Sequence, residues 1–149
     1  MKKYITILFL FPFCSFSQEL VKNSNYFDDL TEEETRIIIY KGTEKAGTGL
    51  YNNYFDEGIY ICKACNNPLF ESNSKFRTDC GWPAFDDEIN GAVSRYSDFS
   101  FGLKRIEICC ANCKGHLGHI FEGEELTSKN IRYCVNSLSI KFISSKNLK

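Results

Sequence analysis

The chain has 149 residues, 43% of them hydrophobic and 25% charged, with a formal net charge of −1. That is enough for one domain with a real core, and the near-neutral balance removes any global electrostatic case for nucleic acid. Eight cysteines and an aromatic content of 15% are the unusual figures; they point to thiol or metal chemistry within an aromatic-rich β core.

The first segment, "MKKYITILFLFPFCSFSQ", has two lysines, an apolar run from about Ile5 to Phe13, and Ser15-Phe16-Ser17. This is the layout of an export leader, with cleavage expected after Ser17 and a mature domain over 18–149. The run is too short to span a bilayer, so no stable membrane association is expected after cleavage. A buried helix is the alternative, and Cys14 raises a lipid anchor, although Pro12 and Phe13 suit such a site poorly. Removing Lys2 and Lys3 takes the 18 basic residues to 16 against 19 acidic ones, a charge of −3. Export places the mature chain in an oxidising compartment, the periplasm.

Next comes "LTEEETRIIIYKGTEKAG". Thr31 with Glu34 forms a capping box, which predicts a helix from Glu32 to Lys41 ending near Gly42. Beyond it helical periodicity largely vanishes. "GIYICKAC", "PLFESNSKF", "FGLKRIEICC", "GHLGHIF" and "IRYCVNSLSIKF" are short, aromatic and β-branched, and Gly, Asn, Asp and Pro clusters separate them. The spacing predicts a mainly β fold: an antiparallel barrel or two-sheet domain with a short N-terminal helix. In the last segment, strand alternation puts Arg132, Cys134 and Asn136 on one face, with Tyr133 and Val135 on the other.

Cys62-Lys63-Ala64-Cys65 and Cys110-Ala111-Asn112-Cys113 each leave a strand and enter a turn. A tight turn aims both sulfurs at one point, and four thiolates complete a tetrahedron, so the favoured reading is a structural zinc site. The 44 residues between Cys65 and Cys110 exceed the span of a small finger; the site is read as a clip between distant hairpins. Two disulfides are the alternative, and a Cys₃His site through His116 is another. Of the remaining mature cysteines, Cys109 is read as a buried small hydrophobe. Cys80, in the turn-rich "TDCGWPAF", and Cys134 form a leftover pair suited to one attacking and one resolving thiol.

Five segments in order carry a resemblance: "LTEEETRIIIYKGTEKAGTGLYNN", "GIYICKACNNPLFESNSKF", "CGWPAF", "KRIEICCANCKGHLGHIF" and "RYCVNSLSIKF". Together they make the chain, from about Leu30 to Phe142, resemble the B-type methionine sulfoxide reductases, which act on the R epimer. The resemblance implies that Cys134 is the catalytic nucleophile and that Cys80 resolves its sulfenic acid as a disulfide. It makes His119 the general acid on the substrate oxygen and His116 a second site histidine. Trp82 would pack against the substrate methyl group, with Phe85 beside it in the substrate loop. Arg132, on the Cys134 face, would lower the thiol's pKa, and Asn136 shares that face. The implied substrate is methionine-R-sulfoxide, peptide-bound or free; the implied partner is a thioredoxin-like reductant; no nucleic acid is involved, and a monomer is expected. The stretch around Ser94 departs from the family pattern and bears on the peptide-facing rim.

Three other classes compete. A zinc-ribbon binding module shares the four cysteines but lacks a basic-aromatic stripe. A zinc hydrolase using His116 and His119 would need an open coordination position and fewer thiolates. A small disulfide-stapled structural protein is the third.

Overall fold

A computed structural model describes residues 26–147; the leader and its cleavage site lie outside the described residues. One helix, α1 (Glu32–Ile38), starts as read: the Glu34 amide donates to Thr31 Oγ1 at 3.3 Å, and the Thr31 amide donates to Glu34 Oε2 at 2.9 Å. It ends three residues earlier than expected. Lys41 takes a left-handed φ of 57°, and the Gly42 amide reaches back to the Arg36 carbonyl at 3.0 Å. This closure turns the chain off the helix axis and sends the Lys41 ammonium to Glu107 at 2.8 Å.

Nine strands follow: β1 (Gly58–Cys62), β2 (Pro68–Glu71), β3 (Lys75–Phe76), β4 (Ala84–Phe85), β5 (Val93–Asp98), β6 (Arg105–Cys110), β7 (His116–Glu122), β8 (Ile131–Val135) and β9 (Ile140–Ser144). They form two sheets, ordered β2-β1-β9 and β3-β4-β8-β7-β6-β5, and every pairing is antiparallel. The fold is therefore mainly β with one short helix, in two sheets. Among the described residues no helix is long and apolar enough to cross a membrane.

Two local readings need correction. "IRYCVNSLSIKF" is two strands: a short turn, Ser137–Ser139, carries the chain from β8 in the larger sheet to β9 in the smaller. β5 was not foreseen, because this edge strand is mostly exposed and lacks a clear apolar alternation.

The core lies between the sheets. Phe70 stacks on Phe85 at 4.4 Å between centroids, and Tyr60 meets Phe85 edge-on at 5.0 Å. Ile108, Leu117, Ile120, Tyr133 and Val135 complete the apolar side of the larger sheet. Each such side chain contributes about 1.5–3 kcal/mol on full burial. The other side of that sheet carries polar and ionisable groups, and there the site forms.

Candidate functional site

The two cysteine knuckles are built alike. The Asn66 amide donates to the Cys62 carbonyl at 3.0 Å, and the Lys114 amide donates to the Cys110 carbonyl at 2.9 Å. Asn66 and Lys114 both take left-handed φ, 61° and 62°, which turns each second cysteine back toward the first. Gly115 lets α1 settle over the second knuckle, since a Cβ there would meet the Ile38 side chain at 2.8 Å. Cys62 Sγ lies 3.6 Å from Cys113 Sγ, Cys65 Sγ lies 3.5 Å from Cys110 Sγ, and all four sulfurs fall within 4.8 Å of one another. A tetrahedron with metal–sulfur bonds of about 2.3 Å has edges of about 3.8 Å. The four thiolates thus fit one ion, and none of them is in a disulfide. His116 is not part of this cluster, because its Nδ1 is bonded to Glu107 at 2.8 Å.

The thiol face is assembled by strand register. Cys134 on β8 lies opposite His119 on β7 and Ala84 on β4, and His119 lies opposite Glu107 on β6. His116 and His119, three apart, belong on opposite faces of a regular strand. A bulge removes the conflict: Leu117 and Gly118 together face Ile108, so Cys109 pairs with His116. Gly118 is required there, since a Cβ would overlap the Cys134 carbonyl oxygen. Both imidazoles then share one face, with ring centroids 5.6 Å apart.

Each imidazole is held by a carboxylate that sequence reasoning missed. His116 is fully buried; its Nδ1 meets Glu107 Oε1 at 2.8 Å, and Lys41 meets Glu107 Oε2 at 2.8 Å. Burial pushes the Glu107 carboxyl up, but His116 and Lys41 outweigh it and bring the pKa to about 2. The His116 Nε2 is buried with no hydrogen-bond partner among the described residues. His119 Nε2 bonds Asp98 Oδ2 at 2.8 Å, and Arg105 Nη2 meets the same oxygen at 2.8 Å. The Ser100 amide and hydroxyl, then His119 and Arg105, hold the Asp98 carboxyl well below its usual range. Burial lowers the His119 pKa against the opposing pull of Asp98. The alternation Glu107-x-Cys109 on one strand was the available sequence signal. Cys109 is buried as expected, but it lies beside Glu107 and His116, and burial followed by Glu107 raises its pKa to about 12.

Cys80 and Cys134 act on each other's thiol, and Cys80 Sγ lies 3.3 Å from the Trp82 carbonyl oxygen. Cys134 brings the Cys80 pKa down to about 5; Thr78, the Trp82 backbone and Arg132 add to that fall against the cost of burial. Cys80, then burial, raises the Cys134 pKa, while Arg132 pulls it down. The expected effect of Arg132 is thus present on both sulfurs, and Cys80 is the more acidic of the two. Arg132 is fixed by two bonds to Glu124, Nε to Oε2 at 2.7 Å and Nη2 to Oε1 at 2.8 Å, and lies over the Phe121 ring at 4.4 Å.

Trp82 is half-buried and outside the core, and its Nε1 donates to the Glu44 carbonyl at 3.0 Å. Its neighbour Phe85 is the one expected substrate contact that the structure contradicts. Ala84 pairs with Cys134 and Phe85 with Tyr133, so alternation turns Phe85 into the core, where it is fully buried. Asn136 stands just past β8 as a tie. Its Oδ1 accepts the Glu44 amide at 2.9 Å and its Nδ2 donates to the Leu117 carbonyl at 3.1 Å. Glu44, also unforeseen, accepts the Ser137 amide at 2.7 Å. The loop carrying Glu44 therefore binds Trp82, the histidine bulge and the end of β8 into one unit. A shallow polar concavity of about 450 Å³ beside Glu71 and Lys129 holds neither thiol nor imidazole.

These features define a class: a two-sheet β domain with a four-thiolate metal clip and a separate thiol pair facing two carboxylate-held imidazoles. The SelR domain family model matches residues 30–144, and the chain belongs to that family. It is 53% identical over 114 residues to peptide methionine sulfoxide reductase B2, chloroplastic, of Arabidopsis thaliana, covering 76% of this chain and 55% of that protein. It is 49% identical over 114 residues to peptide methionine sulfoxide reductase B5 of Oryza sativa subsp. japonica, covering 76% and 82%. Against peptide methionine sulfoxide reductase B5 of Arabidopsis thaliana the identity is 48% over 118 residues, covering 78% and 84%. The chain spans only about half the length of some of these relatives.

Proposed function

We propose that the protein reduces the R epimer of methionine sulfoxide to methionine. The observation that carries this reading is Cys134 paired directly across the sheet from His119, with Cys80 acting on the Cys134 thiol. Cys134 becomes the nucleophile when its proton passes to Cys80. The thiolate attacks the sulfoxide sulfur, His119 turns its Nε2–H from Asp98 to hydrogen-bond the oxygen, and the proton taken up by Cys80 passes to that oxygen. The oxygen transfers to Cys134: thiol plus sulfoxide gives sulfenic acid plus thioether. Cys80 then attacks the sulfenic sulfur, water leaves, and a Cys80–Cys134 disulfide remains. A thioredoxin-like dithiol takes up that oxidation by exchange. The Trp82 indole supplies a flat apolar wall for the methyl group opposite the polar histidine side, which is how the site reads chirality at sulfur. Arg132 holds negative charge on the sulfur pair throughout.

We assign zinc to the four-thiolate clip, on the strength of the all-sulfur donor set and the near-tetrahedral sulfur spacing. Cys62, Cys65, Cys110 and Cys113 would hold it, and it supplies structure rather than chemistry. The test of the reaction is stereochemical: R and S sulfoxides are compared with dithiothreitol as reductant. Turnover of R alone supports the reading; equal rates, or turnover of S alone, overturn it.

A further inference from the structure

The apolar side chains of the loop at 99–103 have no role in the reaction just described, yet they are displayed in an unusual way. Phe99, Phe101 and Leu103 are 68%, 92% and 60% exposed, three large apolar side chains within five residues. Phe101 also takes a left-handed φ of 56°, a strained state for a phenylalanine. The fold gains no burial from this display.

The loop is clamped to the site at both ends. Asp98, just before it, accepts from the Ser100 amide at 2.9 Å and from His119 Nε2 at 2.8 Å. Arg105, two residues after it, donates to Asp98 at 2.8 Å and to Ser100 Oγ at 3.0 Å, and its guanidinium carbon lies 6.0 Å from the Phe101 ring centroid. The apolar tip is thus joined to the imidazole of the site through Asp98, which bonds Ser100, Arg105 and His119.

We propose that this loop is a docking surface for unfolded polypeptide and takes up the apolar residues that flank a methionine sulfoxide. The proposal rests on the reductase reading and gives its substrate class. Methionine is a core-type residue, so its neighbours are commonly apolar. Only an unfolded chain presents the sulfoxide and those neighbours together. Three side chains offer on the order of 500 Å², short of the about 800 Å² per partner that a stable dimer buries. An extended peptide already anchored at the sulfoxide needs no more than that.

The experiment uses the full chain and a Phe99→Ser, Phe101→Ser, Leu103→Ser variant, with dithiothreitol as reductant. Substrates are a peptide with R-sulfoxide between two leucines, the same peptide with two serines, and N-acetyl-methionine-R-sulfoxide. Wild type is expected to favour the leucine peptide about fivefold or more in kcat/KM. The variant brings that ratio near one and leaves the acetylated amino acid unaffected. A wild-type ratio of one, or a ratio unchanged in the variant, overturns the proposal. So does a changed gel-filtration volume with an unchanged ratio, which gives the loop to a second copy. In a parallel series with thioredoxin in place of dithiothreitol, a loss seen only with thioredoxin also overturns it, giving the loop to the reductant. If wild type turns over none of the three substrates, the reductase reading itself fails, and that result is distinct from the others.

Discussion

Replacing Glu107 by glutamine tests how the buried polar face is held. Glutamine keeps the shape and one acceptor for His116 Nδ1 but removes the charge that faces Lys41. The Glu107 pKa falls from 4.5 to about 2 in the folded protein. That difference corresponds to about 3 kcal/mol of stability at neutral pH. The side chain is only 6% exposed, so solvent screening removes little of it. The folded pKa is depressed, so the contribution is complete above about pH 4.5 and is lost as pH falls toward 2. Urea unfolding followed by the fluorescence of Trp82, the only tryptophan, measures both proteins. The gap between them should be about 3 kcal/mol at pH 7, flat to pH 5.5, and about a quarter smaller at pH 4. A gap below about 1 kcal/mol at pH 7 would refute the claim that Glu107 works as a buried anion between His116 and Lys41.

Other consequences follow from the same geometry. Cys80→Ser should complete one turnover of R-sulfoxide and then stall with thioredoxin, read as a single burst of methionine; normal cycling would give the resolving role to another thiol. Cys113→Ser should lose the metal, measured by elemental analysis, and lower Tm well before any effect on the thiol pair; full metal retention would argue against the four-thiolate clip. Phe85→Ala should lower stability by about 3–5 kcal/mol through its core cavity, while KM for R-sulfoxide changes little; a large KM effect in a stable variant would return Phe85 to the substrate loop.

The parts of the site that were legible in the sequence are those fixed by local spacing. A C-x-x-C turn is closed by its own backbone bonds, so Cys62, Cys65, Cys110 and Cys113 declare their chemistry wherever the strands run. Alternation likewise placed Arg132 and Cys134 on one face. What the sequence hid depends on pairing partners far along the chain. Asp98 and Glu107 reach the two histidines only through the registers of β5, β6 and β7, and nothing local marks either as a partner of imidazole. Phe85 looked like part of the substrate loop because it follows Trp82 so closely; the register of β4 against β8 turns it inward. The shared face of His116 and His119 needed a bulge whose cause, Gly118 against the Cys134 carbonyl, exists only once β8 is in place. The break between β8 and β9 escaped notice because Leu138 and Ile140 prolong the apolar pattern across the Ser137–Ser139 turn.

The most direct measurement is mass spectrometry of the reduced, metal-loaded protein after one equivalent of sulfoxide, under native and then denaturing conditions. The R epimer should remove two hydrogens, link Cys80 to Cys134 and leave one metal ion bound to the folded chain, while the S epimer leaves the mass unchanged. A disulfide within Cys62, Cys65, Cys110 and Cys113 with release of the metal would contradict the separation of gripping sulfurs from reacting ones.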